Sequence, residues 1–175
     1  MKKLLLILLI SIPFIGFGQN RGYFGDHDGN IYKTDDSGGT WTFQGQCPVV
    51  NYPFGLSFLN NTTGYFGDKY GRIYKSIDSG VNWTFQGQCP TSNDGTGISF
   101  VNNTTGYFGD EYGNIYKTSD SGINWTYTGQ VPIIGNDGLK VFFLNSQTGF
   151  FGNRHGDIYK TDDSGGTWTF QGQCP

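Results

Sequence analysis

Two aspartates, Asp94 and Asp137, stand in the same short context, Asn93-Asp94-Gly95 and Asn136-Asp137-Gly138. Paired carboxylates across a cleft can cleave a glycosidic bond, one as general acid and one as base or nucleophile. This is the only pair nominated for catalysis, and the same triplet is an ordinary turn sequence. The turn reading is preferred, so no catalytic residue is assigned. Metal chemistry has less to work with. Asp26-His27-Asp28-Gly29-Asn30 has the acidic start of a calcium loop, but not its twelve-residue spacing or closing glutamate. The counterparts at 68–72, 110–114 and 153–157 do not repeat the second acid. His27 and His155 show no zinc spacing with Cys47, Cys89 or Cys174. No metal and no cofactor is expected. Three cysteines leave at least one thiol unpaired within the chain. Equivalent points on neighbouring units would exceed the roughly 7 Å Cα limit of a disulfide, so no disulfide ladder is expected.

A repeat positions all of these residues. Units begin at Gly22, Gly64, Gly106 and Gly149, 42 or 43 residues apart, and Thr34–Pro48 recurs letter for letter at Thr161–Pro175. Aromatic residues make up 17% of the chain and glycines number 29, a composition that favours pleated sheet and tight turns. A period of about 40–45 residues is that of a four-stranded propeller blade. The third unit reads as strands A, B, C and D over 97–102, 105–110, 114–119 and 124–129. Neighbouring aromatics such as Tyr65 and Phe66 put apolar side chains on both faces of a strand, as stacked blades require.

The expected fold is therefore all-β: a propeller of four-stranded blades with four repeats present. The blades fall at 19–48 (strands B to D alone), 49–90, 91–132 and 133–175. With one inner strand unaccounted for, the expectation is a small ring with a gap, or an incomplete, open propeller cut from a longer one. An open arc would expose blade faces and an edge, and self-association would follow.

In an antiparallel meander the B–C turns and D–A connections share one end of the blade, and variation concentrates there. The B–C tips carry His27, then Lys69 and Tyr70, then Glu111 and Tyr112, then Arg154 and His155. The D–A connections carry Asn51-Tyr52-Pro53 and the two Asn-Asp-Gly triplets. Loops on a rigid scaffold commonly carry binding, so this end is the expected ligand face. At the other end, each C–D turn reads [Ser/Thr]-x-Asp-x-Gly-x-x-Trp. The carboxylate of Asp36, Asp78, Asp120 or Asp163 can accept amide bonds within the turn. Trp41, Trp83, Trp125 or Trp168 then returns onto the blade as an apolar plug. Asn82-Trp83-Thr84 and Asn124-Trp125-Thr126 match a glycosylation triplet but read as parts of these turns.

This turn resembles the Asp-box, or bacterial neuraminidase repeat, in all four copies. The wider pattern Gly-x-x-Gly-x-x-x-Gly-x-Ile-x-x-[Ser/Thr]-x-Asp-x-Gly-x-x-Trp is similar to the repeats of the photosystem II assembly and stability factor family. Related secreted bacterial propellers share it. The resemblance covers nearly all of 22–175 and implies a propeller, usually of seven blades. It implies protein binding through a basic patch in the assembly-factor family, and paired aspartates in Asp-box enzymes that cleave xyloglucan-type glucans. Neuraminidases use an arginine triad, a Tyr/Glu pair and an aspartate. Arg21, Arg72 and Arg154 stand at unlike positions and Glu111 is the lone glutamate, so sialidase activity is not expected.

The first residues are of another kind. Lys2 and Lys3 precede an apolar run from Leu4 to Phe17, closed by Gly16 and Gly18, the order of a secretory signal peptide spanning 1–18. The run is shorter than a spanning helix needs and contains Pro13. No membrane span is expected after its removal, and the product would be secreted or held at the cell surface. A formal charge of −3 offers no basic footprint for nucleic acid. The function expected is an exported, non-catalytic scaffold that binds protein or glycan. The alternative is a fragment of an Asp-box glycoside hydrolase, glucanase-like before sialidase-like.

Overall fold

The structure, a computed structural model, describes residues 20–48, 53–135 and 137–175. The signal-peptide segment, Asn51, Tyr52 and Asn136 lie outside the described residues. Fifteen strands form four antiparallel sheets in chain order. The first has three strands, β1 (Gly22–Gly25), β2 (Asn30–Thr34) and β3 (Thr42–Gln46). The second runs β4 (Pro53–Phe58), β5 (Gly64–Asp68), β6 (Arg72–Ser76) and β7 (Thr84–Gln88). The third runs β8 (Gly95–Phe100), β9 (Gly106–Asp110), β10 (Asn114–Thr118) and β11 (Thr126–Gln130). The fourth runs β12 (Gly138–Phe143), β13 (Gly149–Asn153), β14 (Asp157–Thr161) and β15 (Thr169–Gln173). Each sheet is a meander whose strands pair with their sequence neighbours. Together they make an open arc of a β-propeller.

Strand limits differ from the sequence expectation for local reasons. The inner strand of the third blade ends at Phe100, because the Asn102 side chain accepts the amides of Thr104 and Thr105 and turns the chain. The outer strand begins at Thr126, because Asn124 and Trp125 belong to the preceding turn.

The blades pack through a repeated aromatic sandwich. Tyr23, Tyr65 and Tyr107 lie flat on Phe58, Phe100 and Phe143 of the next inner strand, each pair 3.5 Å apart. Trp83, Trp125 and Trp168 meet those same phenylalanines edge-on at 6.0 Å. Offset and edge-on aromatic pairs add about 0.5–1.5 kcal/mol each beyond the area they bury. Trp41 departs from the expected plug. It is 38% exposed, against 9%, 6% and 7% for the other three. Among the described residues, no inner strand lies beside β1 to cover it.

Inner strands also touch directly. The Ser57 and Ser99 hydroxyls accept the amides of Phe100 and Phe143, both at 3.0 Å. A side chain at Gly55 would come within 2.6 Å of the Ile98 amide, so only glycine admits the next strand there. β12 carries Lys140 and Phe142 where β4 carries Gly55 and Ser57, and where β8 carries Gly97 and Ser99. The half-buried Lys140 ammonium instead donates back to the carbonyls of Phe54 and Thr96, on the two preceding inner strands. Burial lowers its pKa to about 8.

The hairpins joining third to outer strands are built alike. Asp120 Oδ1 accepts the Asn124 amide at 2.9 Å and the Thr118 hydroxyl at 2.8 Å. Oδ2 takes the Asn124 carboxamide at 2.7 Å. Thr40 and Thr167 hydroxyls take that last place on Asp36 and Asp163, so threonine and asparagine exchange freely there. Both residues of each glycosylation triplet that matter to the turn are thus engaged in it. Left-handed backbone is not confined to glycine. Ser37, Ser79, Ser121 and Ser164 hold φ of 61–68°, a conformation costing about 1–3 kcal/mol for such residues. Each serine offsets this by docking on the first turn of its blade. Ser121, for example, donates its amide to the Thr104 carbonyl at 2.9 Å and its hydroxyl to Asn103 at 2.7 Å.

Candidate functional site

The opposite end of the arc is made by hairpins β1–β2, β5–β6, β9–β10 and β13–β14, and by the long connections into β8 and β12. Each hairpin turns on a glycine of positive φ: Gly29, Gly71, Gly113 and Gly156, at 75–82°. Each is also locked by the last polar residue of the strand before it. Asp68 Oδ1 accepts the amides of Tyr70 and Arg72, both at 2.9 Å, and Oδ2 takes Arg72 Nε at 2.5 Å. Asp110 repeats this with Tyr112 and Asn114, and its Oδ2 also accepts Thr91 and Asn93 from the connection, both at 3.0 Å. In the first hairpin Asp26 holds Asp28 and Asn30. In the fourth the chemistry is exchanged: Asn153 takes the amides of His155 and Asp157, and its own carboxamide donates to the Asp157 carboxylate at 2.9 Å. An acid and a donor four residues apart are the constant; which comes first is not. The oxygens that could have suggested calcium at Asp26 are spent on this lock.

A second clamp comes from the outer strand. Gln46, Gln88, Gln130 and Gln173 donate their side-chain amides to the carbonyls of Asp28, Tyr70, Tyr112 and His155, at 2.9–3.1 Å. The amide of each of these tip residues is already held by the buried or half-buried Asp or Asn. Four tip residues are thus fixed at both backbone polar groups, while their side chains differ and point outward. Tyr70 is 49% exposed and Tyr112 42%. Sequence reading missed both clamps. Their signal was present in the recurring Gly-Gln of every outer strand, and in the Asp-x-x-Gly-Asn or Asp-x-x-Gly-Arg run, which reads as a plain turn.

The predicted face residues fall at this end. His27, Arg154 and His155 are exposed, and Lys69 and Glu111 are half-buried. Lys69 and Arg72 lie over the Tyr70 ring, at 4.9 and 5.3 Å from its centroid, a contact worth about 0.5–1 kcal/mol at an exposed site. The two nominated aspartates sit in the connections, each against the hairpin of its own blade. The Asp94 carbonyl accepts the Glu111 amide at 2.9 Å, and its amide meets Glu111 Oε1 at 3.4 Å. The Asp137 carbonyl accepts the Arg154 amide at 2.8 Å, and its carboxylate meets His155 Nε2 at 3.0 Å. The arginines have separate local roles: Arg21 pairs with Asp35 at 2.5 Å and Arg72 with Asp68, while Arg154 stands exposed at its tip.

Cys47, Cys89, Val131 and Cys174 share one position beneath the tips. Their amides bond the carbonyls of Gly29, Gly71, Gly113 and Gly156 at 2.8–2.9 Å. Cys89 and Val131 are fully buried, so the position selects a small apolar filler rather than a thiol. Burial pushes the Cys89 thiol well above its ordinary range.

These observations define the class: a β-propeller arc whose variable hairpin tips are rigidly held at one end. Solved structures share the fold. A YCF48 bound to a D1 peptide aligns with a TM-score of 0.57 at 15% identity, covering 88% of this chain and 79% of that one. YCF48 from Cyanidioschyzon merolae aligns at 0.60 and 16% identity, covering 94% and 58%. A GH74 enzyme of Niastella koreensis aligns at 0.61 and 19% identity, covering 87% and 28%. The chain thus spans a little over half of one of these proteins and about a quarter of another. No protein-family model and no curated protein matches it.

Proposed function

We propose that this chain is an exported, non-catalytic propeller of Asp-box repeats that binds a protein or glycan through its hairpin tips. One observation carries the reading: Tyr70, Tyr112 and His155 are clamped at both backbone groups while their side chains reach into solvent. A tyrosine on a fixed backbone offers a large amphipathic contact at little conformational cost. Lys69, Glu111, Arg154 and His27 supply charge around it, and binding energy then goes into contact rather than ordering. The fold neighbour that holds a D1 peptide supports a polypeptide ligand. The scaffold would act at the cell surface or in an assembly outside the cytoplasm.

The test is a screen of peptide and glycan arrays with the wild-type chain and with a Tyr70→Ala, Tyr112→Ala, Arg154→Ala triple variant. Binding that the triple variant loses supports the reading. Unchanged affinity removes it.

A second reading rests on the GH74 neighbour: a glucan hydrolase fragment using Asp94 and Asp137 as acid and base. Release of reducing ends from a glucan, lost in Asp94→Asn, would favour it over the binding module. Hydrolysis unchanged in Asp94→Asn would end the nomination.

A further inference from the structure

The three complete blades seat their inner strands in one way. Leu56-Ser57-Phe58 pairs with Phe66-Tyr65-Gly64, Ile98-Ser99-Phe100 with Phe108-Tyr107-Gly106, and Val141-Phe142-Phe143 with Phe151-Phe150-Gly149. The final phenylalanine lies over a glycine. A side chain built on Gly64, Gly106 or Gly149 would come within 2.7 Å of the ring. The same ring meets the blade's tryptophan edge-on.

The first blade repeats this seat. Gly22 stands at the place of Gly64, with the built side-chain direction 3.6 Å from Trp41. Phe24 meets Trp41 edge-on at 6.3 Å, as Phe66 meets Trp83. Among the described residues, β1 pairs with β2 alone and Trp41 is 38% exposed. β1 therefore offers a free row of backbone donors and acceptors beside an aromatic slot of known preference.

We propose that the β1 edge is a strand-accepting site for an extended polypeptide of the form aliphatic-Ser-Phe. The segment pairs antiparallel to Gly22–Gly25 and seats its phenylalanine between Gly22 and Trp41. Main-chain bonds to an exposed edge supply affinity, and a side-chain pocket supplies selectivity. The occupant is a peptide of stated chemistry because three copies of this slot, in the same molecule, hold that chemistry. Nothing in the proposal depends on the hairpin tips, which lie elsewhere on the blades.

The probe is a synthetic peptide with the β8 sequence, residues 95–103, which contains no tryptophan. It is titrated into the full chain while tryptophan emission is followed. A saturable blue shift is expected, absent from a Trp41→Phe variant. The peptide with Phe100→Ala should bind at least about tenfold more weakly, since the ring is the buried anchor. Gly22→Ala, which puts a methyl group where the ring lies, should block the wild-type peptide while leaving the thermal transition cooperative. Equal binding of the two peptides overturns the proposal. So does an unchanged emission at saturating peptide, including the case where Trp41 is already shielded in the free chain by a second copy or by the chain itself.

Discussion

Tyr107 of the third blade lies flat on Phe143 of the fourth, ring centroids 3.5 Å apart and planes 6° from parallel. Its hydroxyl runs past the ring to the Ser146 carbonyl at 2.6 Å, and the Ser164 hydroxyl donates to the same oxygen. One carbonyl therefore joins the blade before, the first turn of its own blade and the tryptophan hairpin. Asn61 and Asn103 make the same junction with Tyr23 and Ser79, and with Tyr65 and Ser121. Tyr107→Phe keeps the stack and loses the bond; a cost of about 1 kcal/mol is expected. Tyr107→Leu should cost about a further 1 kcal/mol for the lost ring pair. Urea unfolding of the two variants separates the contributions.

Asp110 tests the tip lock. Its carboxylate is fully buried and accepts from Thr91, Asn93, Tyr112 and Asn114. Asp110→Ala leaves those donors unpaired, at a cost of about 3 kcal/mol. Asp26→Ala, at the half-buried first hairpin with fewer partners, should cost about 1 kcal/mol. Denaturation midpoints at constant slope measure both.

Acid should unfasten the other end. The Thr40 amide leads the bonds that hold Asp36 at a pKa of about 2, and the Thr167 hydroxyl leads those holding Asp163 at about 2. The Asn82 and Asn124 amides lower Asp78 and Asp120. A carboxylate whose pKa is depressed on folding stabilises the native state fully above its unfolded value of about 3.9. That stability is lost as pH falls from about 4 toward about 2. Midpoints measured from pH 6 down to pH 2 should stay level and then drop, and Asp120→Asn should show a shallower drop.

Lys140 has the opposite sign. Burial depresses it to about 8, below its unfolded value of about 10.4. Between those values the unfolded chain binds the proton and the folded chain does not, so this group adds stability as pH rises. The raised thiol of Cys89 acts against it over the same range. The wild-type minus Lys140→Met difference isolates the lysine: relative to the variant, the wild type should gain stability between pH 8 and pH 10.

The architecture was legible because the repeat is nearly literal. Gly64, Gly106 and Gly149 mark equivalent strands, and the tryptophan turns mark their partners. The exposure of Trp41 was not legible, because burial of that ring depends on a neighbouring strand and not on its own turn. The left-handed serines were hidden for a related reason: Ser79 holds that conformation through bonds to Asn61 and Thr62, in a distant part of the blade. At the tips, variable residues drew attention to Tyr70 and Tyr112. The groups that make those residues usable, Asp68, Asp110, Gln88 and Gln130, are invariant and read as filler. Lys140 breaks the pattern of Gly55 and Gly97, yet its significance appears only when the inner strands are seen side by side.

The central claim is that the tips are rigid platforms for exposed side chains, and amide hydrogen exchange at Tyr70, Tyr112 and His155 tests it most directly. Protection of at least about a hundredfold over an unstructured peptide is predicted, from amides closed onto Asp68, Asp110 and Asn153. Exchange at the rate of a free loop would contradict it.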